Sequence, residues 1–135
     1  MHKKIKILLI EDDRIEVMKF NRAIDSSKNH SITLASNGNE ALIKLKDNIM
    51  PHIILLDLNM PDTNGIEFLS ILKKNKDLQH IPIVVLTTSD NKKDISECYR
   101  IGIAGYVLKP LKYDDYEEKI NAILKYWRLN EFKEE

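Results

Sequence analysis

Five short apolar runs recur along the chain, each followed by a stretch with helical spacing. Ile5 to Ile10, Ile53 to Leu56 and Ile83 to Leu86 are nearly continuous in Ile, Leu and Val. Ile32 to Ala35 is short and weak, and Tyr106 to Leu108 completes the set. A continuous run, unlike an alternating one, means burial on both faces, as in a parallel sheet covered by helices. A buried helix gives the same pattern, but these runs are short and rich in Ile and Val, which favours strands.

Helical patterns fill the gaps. Ile15, Met18 and Arg22 share a face in the first, with Ala23 beside them. Ala41, Leu42 and Leu45 do so in the second, Phe68, Leu69 and Leu72 in the third, and Ile95, Cys98 and Tyr99 in the fourth. The last helix carries one long apolar stripe of Tyr116, Ile120, Ile123, Leu124 and Trp127. Asn37 and Asn64 suit helix N-caps, and Gly102 suits a helix C-terminus. The pattern is (βα)5. Right-handed crossovers turn it into a doubly wound, five-stranded parallel sheet.

A length of 135 residues fits one compact domain, with a core over about 4–128 and a charged tail at 129–135. Lys plus Arg and Asp plus Glu number 21 each. That balance gives no general attraction to nucleic acid or to anionic membranes. Cys98 is the only cysteine, so no intrachain disulfide forms, which suits a reducing cytoplasm. Its expected role is a plain packing thiol. The basic and apolar opening MHKKIKILLI stops at Glu11 with no small-residue cleavage site. No stretch approaches the roughly 20 apolar residues of a membrane span.

Reactive side chains then fall in a telling place. Glu11-Asp12-Asp13 ends the first strand, Asp57 the third, Thr87-Thr88-Ser89 the fourth and Lys109-Pro110 the fifth. Polar residues after any one strand are ordinary caps and loops. After four of five strands they are expected to meet, because ligands of open α/β sheets bind beyond the carboxyl ends of the strands. Gathered carboxylates repel one another unless a positive charge sits between them. Oxygen ligands of this kind suit a hard cation that keeps several waters, such as Mg²⁺. A carboxylate can also attack phosphorus to form an aspartyl phosphate. The Lys109 ammonium and a Thr87 hydroxyl could neutralise and hydrogen-bond the transferred group. His2, His30, His52 and His80 are scattered and make no zinc site. GxGxxG, GxxxxGK[ST] and GxSxG motifs are absent, so nucleotide binding and hydrolase chemistry lack their parts.

The segments ILLIEDD, LLDLNMPDTNGIEFL, PIVVLTTS and GYVLKP, in this order and spacing, resemble bacterial response-regulator receiver domains over nearly the whole chain. The resemblance implies the flavodoxin-like receiver fold and a two-component signalling role. It implies phosphoryl transfer from a sensor histidine kinase to Asp57, with Mg²⁺ bound. Asp12 would ligate the metal directly, Glu11 through water, and Asn59 through its carbonyl, beside Asp57. The acidic pair is either Glu11-Asp12 or Asp12-Asp13. The first is preferred because it directly follows the apolar strand. Thr87 matches the switch hydroxyl, Tyr106 the switch aromatic and Lys109 the phosphate-contacting lysine. A cis peptide between Lys109 and Pro110 is also implied.

The stretch LTTSDNKKDISECYRIGIAGYVLKPLKYDDY and the later KYW are similar to single-domain regulators paired with bacterial phytochromes. A protein of this kind is no enzyme beyond weak self-phosphorylation and autodephosphorylation. Its output runs through protein contacts. Two other readings compete: a phosphate-independent pseudo-receiver, and a phosphatase passing through an aspartyl phosphate. The first would lack some of the acidic pair, Asp57, Thr87 or Lys109. The second usually needs a carboxylate where Asn59 stands, as general acid. Tyr113, Tyr116, Tyr126, Trp127 and Phe132 crowd the C-terminal region. Much of that stripe must pack on the sheet, and the remainder predicts a homodimer through the last helix and tail.

Overall fold

The structure, a computed structural model, describes residues 4–24, 30–61 and 64–133. Residues 1–3 of the basic opening, residues 62–63 of the LLDLNMPDTNGIEFL segment and residues 134–135 of the tail lie outside the described residues. The chain runs β1 (Ile5–Ile10), α1 (Arg14–Ala23), β2 (His30–Ala35), α2 (Gly38–Lys46), β3 (Ile53–Leu56), α3 (Gly65–Lys74), β4 (Ile83–Thr87), α4 (Lys92–Ile101), β5 (Gly105–Leu108) and α5 (Tyr113–Arg128). The strands form one sheet in the order β2-β1-β3-β4-β5, and every pairing is parallel. This is the expected doubly wound (βα)5 receiver fold.

The unbroken apolar runs have the expected cause. Along β1, Leu8 and Ile10 point into a core shared with Leu45, Phe68, Leu72 and Cys98. Ile7 and Leu9 point the other way, into a core with Phe20, Tyr116, Ile120 and Leu124. Period-2 alternation thus fills two cores from one strand. β2 begins two residues earlier than its apolar run, at His30. It is an edge strand and only Ala35 in it is buried, so its sequence need not be apolar throughout.

Side chains mark the helix starts. Asn37, Asn64 and Asn91 cap α2, α3 and α4, and Asp13 caps α1, each accepting a hydrogen bond from the first turn. Each such cap stabilises its helix by about 1 kcal/mol. Gly102 ends α4 at φ 123°, a conformation that glycine adopts without strain.

One expected face is wrong. Ile15 and Met18 of α1 are 68% and 69% exposed, and Arg22 is exposed too. The buried positions are Phe20, Ala23 and the adjoining Ile24. The bulky Phe20 sets the rotation of α1 against the sheet, and Glu16 lies one turn before it on the same inward side. A charge on the inner face hides the stripe from a purely apolar reading. In α4, Cys98 is buried while Tyr99 is half exposed. α5 buries Tyr116, Ile120 and Leu124 as expected. No helix among the described residues is long and apolar enough to cross a membrane.

Candidate functional site

The parallel ladder continues one residue past the strands, and this places the site. Glu11 N–H donates to the Ala35 carbonyl at 3.0 Å, Asp57 N–H to that of Ile10 at 3.1 Å, and Lys109 N–H to that of Thr87 at 2.8 Å. Each functional residue is therefore held by the neighbouring strand before its side chain is considered. The three meet where β1 has β2 on one side and β3 on the other, the switch point of a doubly wound sheet.

The result is a cleft of about 400 Å³. Glu11 is 3% exposed, Asp57 7% and Thr87 0%. Carboxylate oxygens of Glu11, Asp12 and Asp57 lie within 4.8 Å of one another. Three acids this close, two of them buried, need a compensating charge, and an all-oxygen set fits a hard divalent cation. Asp13 also lines the cleft but stands outside this cluster. Its carboxylate accepts from Ile15 N–H at 2.9 Å as the α1 cap. The Glu11-Asp12 register is thus the one whose side chains converge with Asp57.

Lys109 brings a cation within reach of these acids. Its side chain is only 6% exposed, with Nζ 2.7 Å from Glu11 Oε1 and 3.9 Å from Asp57 Oδ2. Burial disfavours its charge, yet Glu11 and Asp57 outweigh that and hold the ammonium above its ordinary value. Burial lifts the Glu11 carboxyl to about 7, with Lys109 opposing the rise and Asp57 adding to it.

Asn59 does more than its backbone role implies. Its amide donates to the hydroxyls of Thr87 at 3.0 Å and Thr88 at 2.9 Å, while its N–H donates to Asp57 Oδ1 at 3.0 Å. Tyr106 donates its hydroxyl to the Ser89 carbonyl at 2.8 Å. The implied cis peptide before Pro110 is corrected: no cis bond occurs among the described residues. The trans isomer is the one X-Pro bonds favour by about 0.5–1 kcal/mol.

Sequence reasoning missed Glu16. Its Oε1 lies 3.1 Å from Lys109 Nζ. The available signal was its spacing, one helical turn before Phe20, once Phe20 is recognised as facing inward.

The comparisons agree with this geometry. The family model for the response regulator receiver domain matches residues 7–121. The response regulator Rcp1 of Synechocystis is 32% identical over 128 residues, spanning 90% of this chain and 87% of that protein. A protein described as the probable methanogenesis regulatory protein FilR2 of Methanothrix harundinacea is 34% identical over 127 residues, spanning 90% of this chain and 82% of its own length. The crystal structure of the Mn²⁺-bound form of Rcp1 superposes with a TM-score of 0.89 at 30% identity, covering 96% of this chain and 99% of the other. That of the phosphorylated cyanobacterial phytochrome response regulator RcpA also gives 0.89 at 30% identity, covering 99% and 100%. On its sequence, its strand order and its acidic cleft alike, the chain belongs to the response regulator receiver domain family.

Proposed function

We propose that Asp57 is the phosphoacceptor of a two-component response regulator, with Glu11, Asp12, Asp57 and the Asn59 carbonyl holding Mg²⁺. The observation that carries the reading is the convergence of Asp57, Glu11, Asp12 and Lys109, from the ends of β1, β3 and β5, on one cleft. An Asp57 carboxylate oxygen attacks the phosphorus of a phosphohistidine on the sensor kinase. A P–O bond forms, the P–N bond breaks, and its electron pair leaves with the imidazole. Lys109 supplies fixed positive charge beside the acceptor, where transition-state charge spreads over the equatorial oxygens. The Thr87 hydroxyl accepts from Asn59 and from Ser89 N–H, so its own proton is free to donate to a phosphoryl oxygen. Mg²⁺ held by these residues would neutralise charge on the transferred group.

Ile15 and Met18 are exposed on the outer face of α1, an apolar pair suited to docking of the donor. The kinship with Rcp1 and RcpA supports a phytochrome-type sensor kinase as that donor. A cytoplasmic location belongs to the same reading. So does a homodimer through the end of α5, where Tyr126 and Leu129 stay exposed. A phosphatase reading finds no general acid at position 59, and a pseudo-receiver reading finds no missing part.

Incubation with acetyl phosphate and Mg²⁺, followed by intact-mass measurement, tests the assignment. Wild type should gain one phosphoryl group, whereas Asp57→Asn, or omission of Mg²⁺, should abolish it. An undiminished adduct on Asp57→Asn would remove Asp57 from this role.

A further inference from the structure

Two carboxylates of the cleft lie outside phosphoryl transfer and metal binding: Asp13, which caps α1, and Glu16. Glu16 Oε1 is 3.1 Å from Lys109 Nζ, closer than the nearest paired oxygen of Asp57 at 3.9 Å. Helix capping does not explain its position. Asp13 and Glu16 have the spacing of a capping box, in which the glutamate would accept from the N-cap N–H. Here Glu11 Oε2 accepts from Asp13 N–H at 3.3 Å instead. The Glu16 carboxylate is left to bind cations, and it binds two. Oε1 takes Lys109, and Oε2 takes Lys19 at 3.4 Å. Lys19 in turn lies over the Tyr116 ring, 4.8 Å from its centre. Glu16 therefore joins the cleft to the seam between α1 and α5.

One buried ammonium is shared among Glu11, Glu16 and Asp57. A phosphoryl group on Asp57 brings further negative charge and strong acceptor oxygens to within reach of the same Lys109 ammonium that Glu16 holds. The ammonium cannot turn fully toward that group without loosening its bond to Glu16. We propose that Glu16 competes with the phosphoryl group for Lys109, and that as a positioning residue it lowers the resting occupancy of the phosphorylated state. The inference rests on Asp57 being the acceptor. Removing the Glu16 charge should let Lys109 commit to the phosphoryl group.

The test compares wild type, Glu16→Gln and Glu16→Asp at one subsaturating concentration of acetyl phosphate with Mg²⁺, reading the ratio of phosphorylated to free protein by intact mass. Glu16→Gln should raise this ratio about three- to fivefold, the size expected for one partly exposed ion pair. Glu16→Asp keeps the charge and should stay near wild type. A purely structural role would lower the melting temperature of Glu16→Gln and leave the ratio unmoved. In wild type itself, the Glu16 carboxyl ¹³C signal and the Tyr116 ring signals should shift on phosphorylation. An unchanged or lower ratio in Glu16→Gln, or a Glu16 carboxyl signal that ignores phosphorylation, would overturn the competition while leaving Asp57 as acceptor. Failure of wild type to take any phosphoryl group would overturn both.

Discussion

Glu11 is pulled by burial and by Lys109 in opposite directions. Burial raises its carboxyl from an ordinary 4.5 to about 7, so the folded chain holds that proton more tightly than the unfolded chain. This stabilising contribution is complete below about pH 4.5 and is lost as pH rises toward 7. Above that range an ionised Glu11 leans on Lys109 or on a bound cation. A metal ligand must be deprotonated, so metal and proton compete for the same oxygen. Mg²⁺ affinity should therefore weaken as pH falls below about 7, and roughly one proton should leave per ion bound near pH 6. Titration calorimetry in buffers of different ionisation heats measures both. A pH-independent affinity without proton release would contradict the role given to Glu11. Cys98 shifts in the same direction. Burial and the nearby Asp94 and Glu97 charges push its thiol up to about 11, which matches a packing residue and not a nucleophile.

Among the elements, β4 and β5 form the coupled pair. Their register sets Val85 opposite Tyr106 and Thr87 opposite Leu108. The Tyr106 hydroxyl is tied to the Ser89 carbonyl, and Ser89 N–H is tied at 3.3 Å to the Thr87 hydroxyl. A Thr87 hydroxyl that turns to a phosphoryl oxygen changes what the Ser89 backbone bonds, and Tyr106 follows. Phosphorylation should then shift the Tyr106 ring resonances in wild type and leave them in place in Thr87→Ala that has been phosphorylated to the same extent. Identical Tyr106 spectra before and after phosphorylation of wild type would take this residue out of the switch. At the same scale, α1 shows why amphipathic reading has a limit. Its inner face carries Glu16, Phe20 and Ala23, and its outer face carries Ile15 and Met18. Hydrophobicity alone selects the outer face.

Across the whole molecule, the large apolar side chains at the C-terminal end divide into two sets. Trp127 is packed against the core beneath α5, and Phe132 stacks on His52 at 4.6 Å, folding the tail back onto its own chain. Tyr126 and Leu129 face outward, at 57% and 76% exposure. Truncation before Trp127 would damage the fold as well as any interface, so a point change is the cleaner probe. Wild type should sediment as a dimer at micromolar concentration, and Leu129→Glu should sediment as a monomer with unchanged circular dichroism. Monomeric sedimentation of both proteins would reject the α5-end interface.

Local order along the chain was enough for the alternation of strands and helices. Burial on both faces of a central strand requires an unbroken run of Ile, Leu and Val, and such runs can be read directly. It was also enough to expect Asp57, Lys109, Thr87 and the acidic residues after β1 at one edge, because reactive groups after parallel strands share it. Edge strand β2 was only half legible, since a strand with one open side can begin with His30 and Ser31. The choice of Asp13 as a helix cap, the Asn59 amide across two hydroxyls and the hold of Glu16 on Lys109 were settled only by tertiary structure. Each depends on how far a helix or loop rotates about its own axis. Packing partners distant in the chain, such as Phe20 against the sheet, set that rotation, and no pattern of neighbouring residues encodes it.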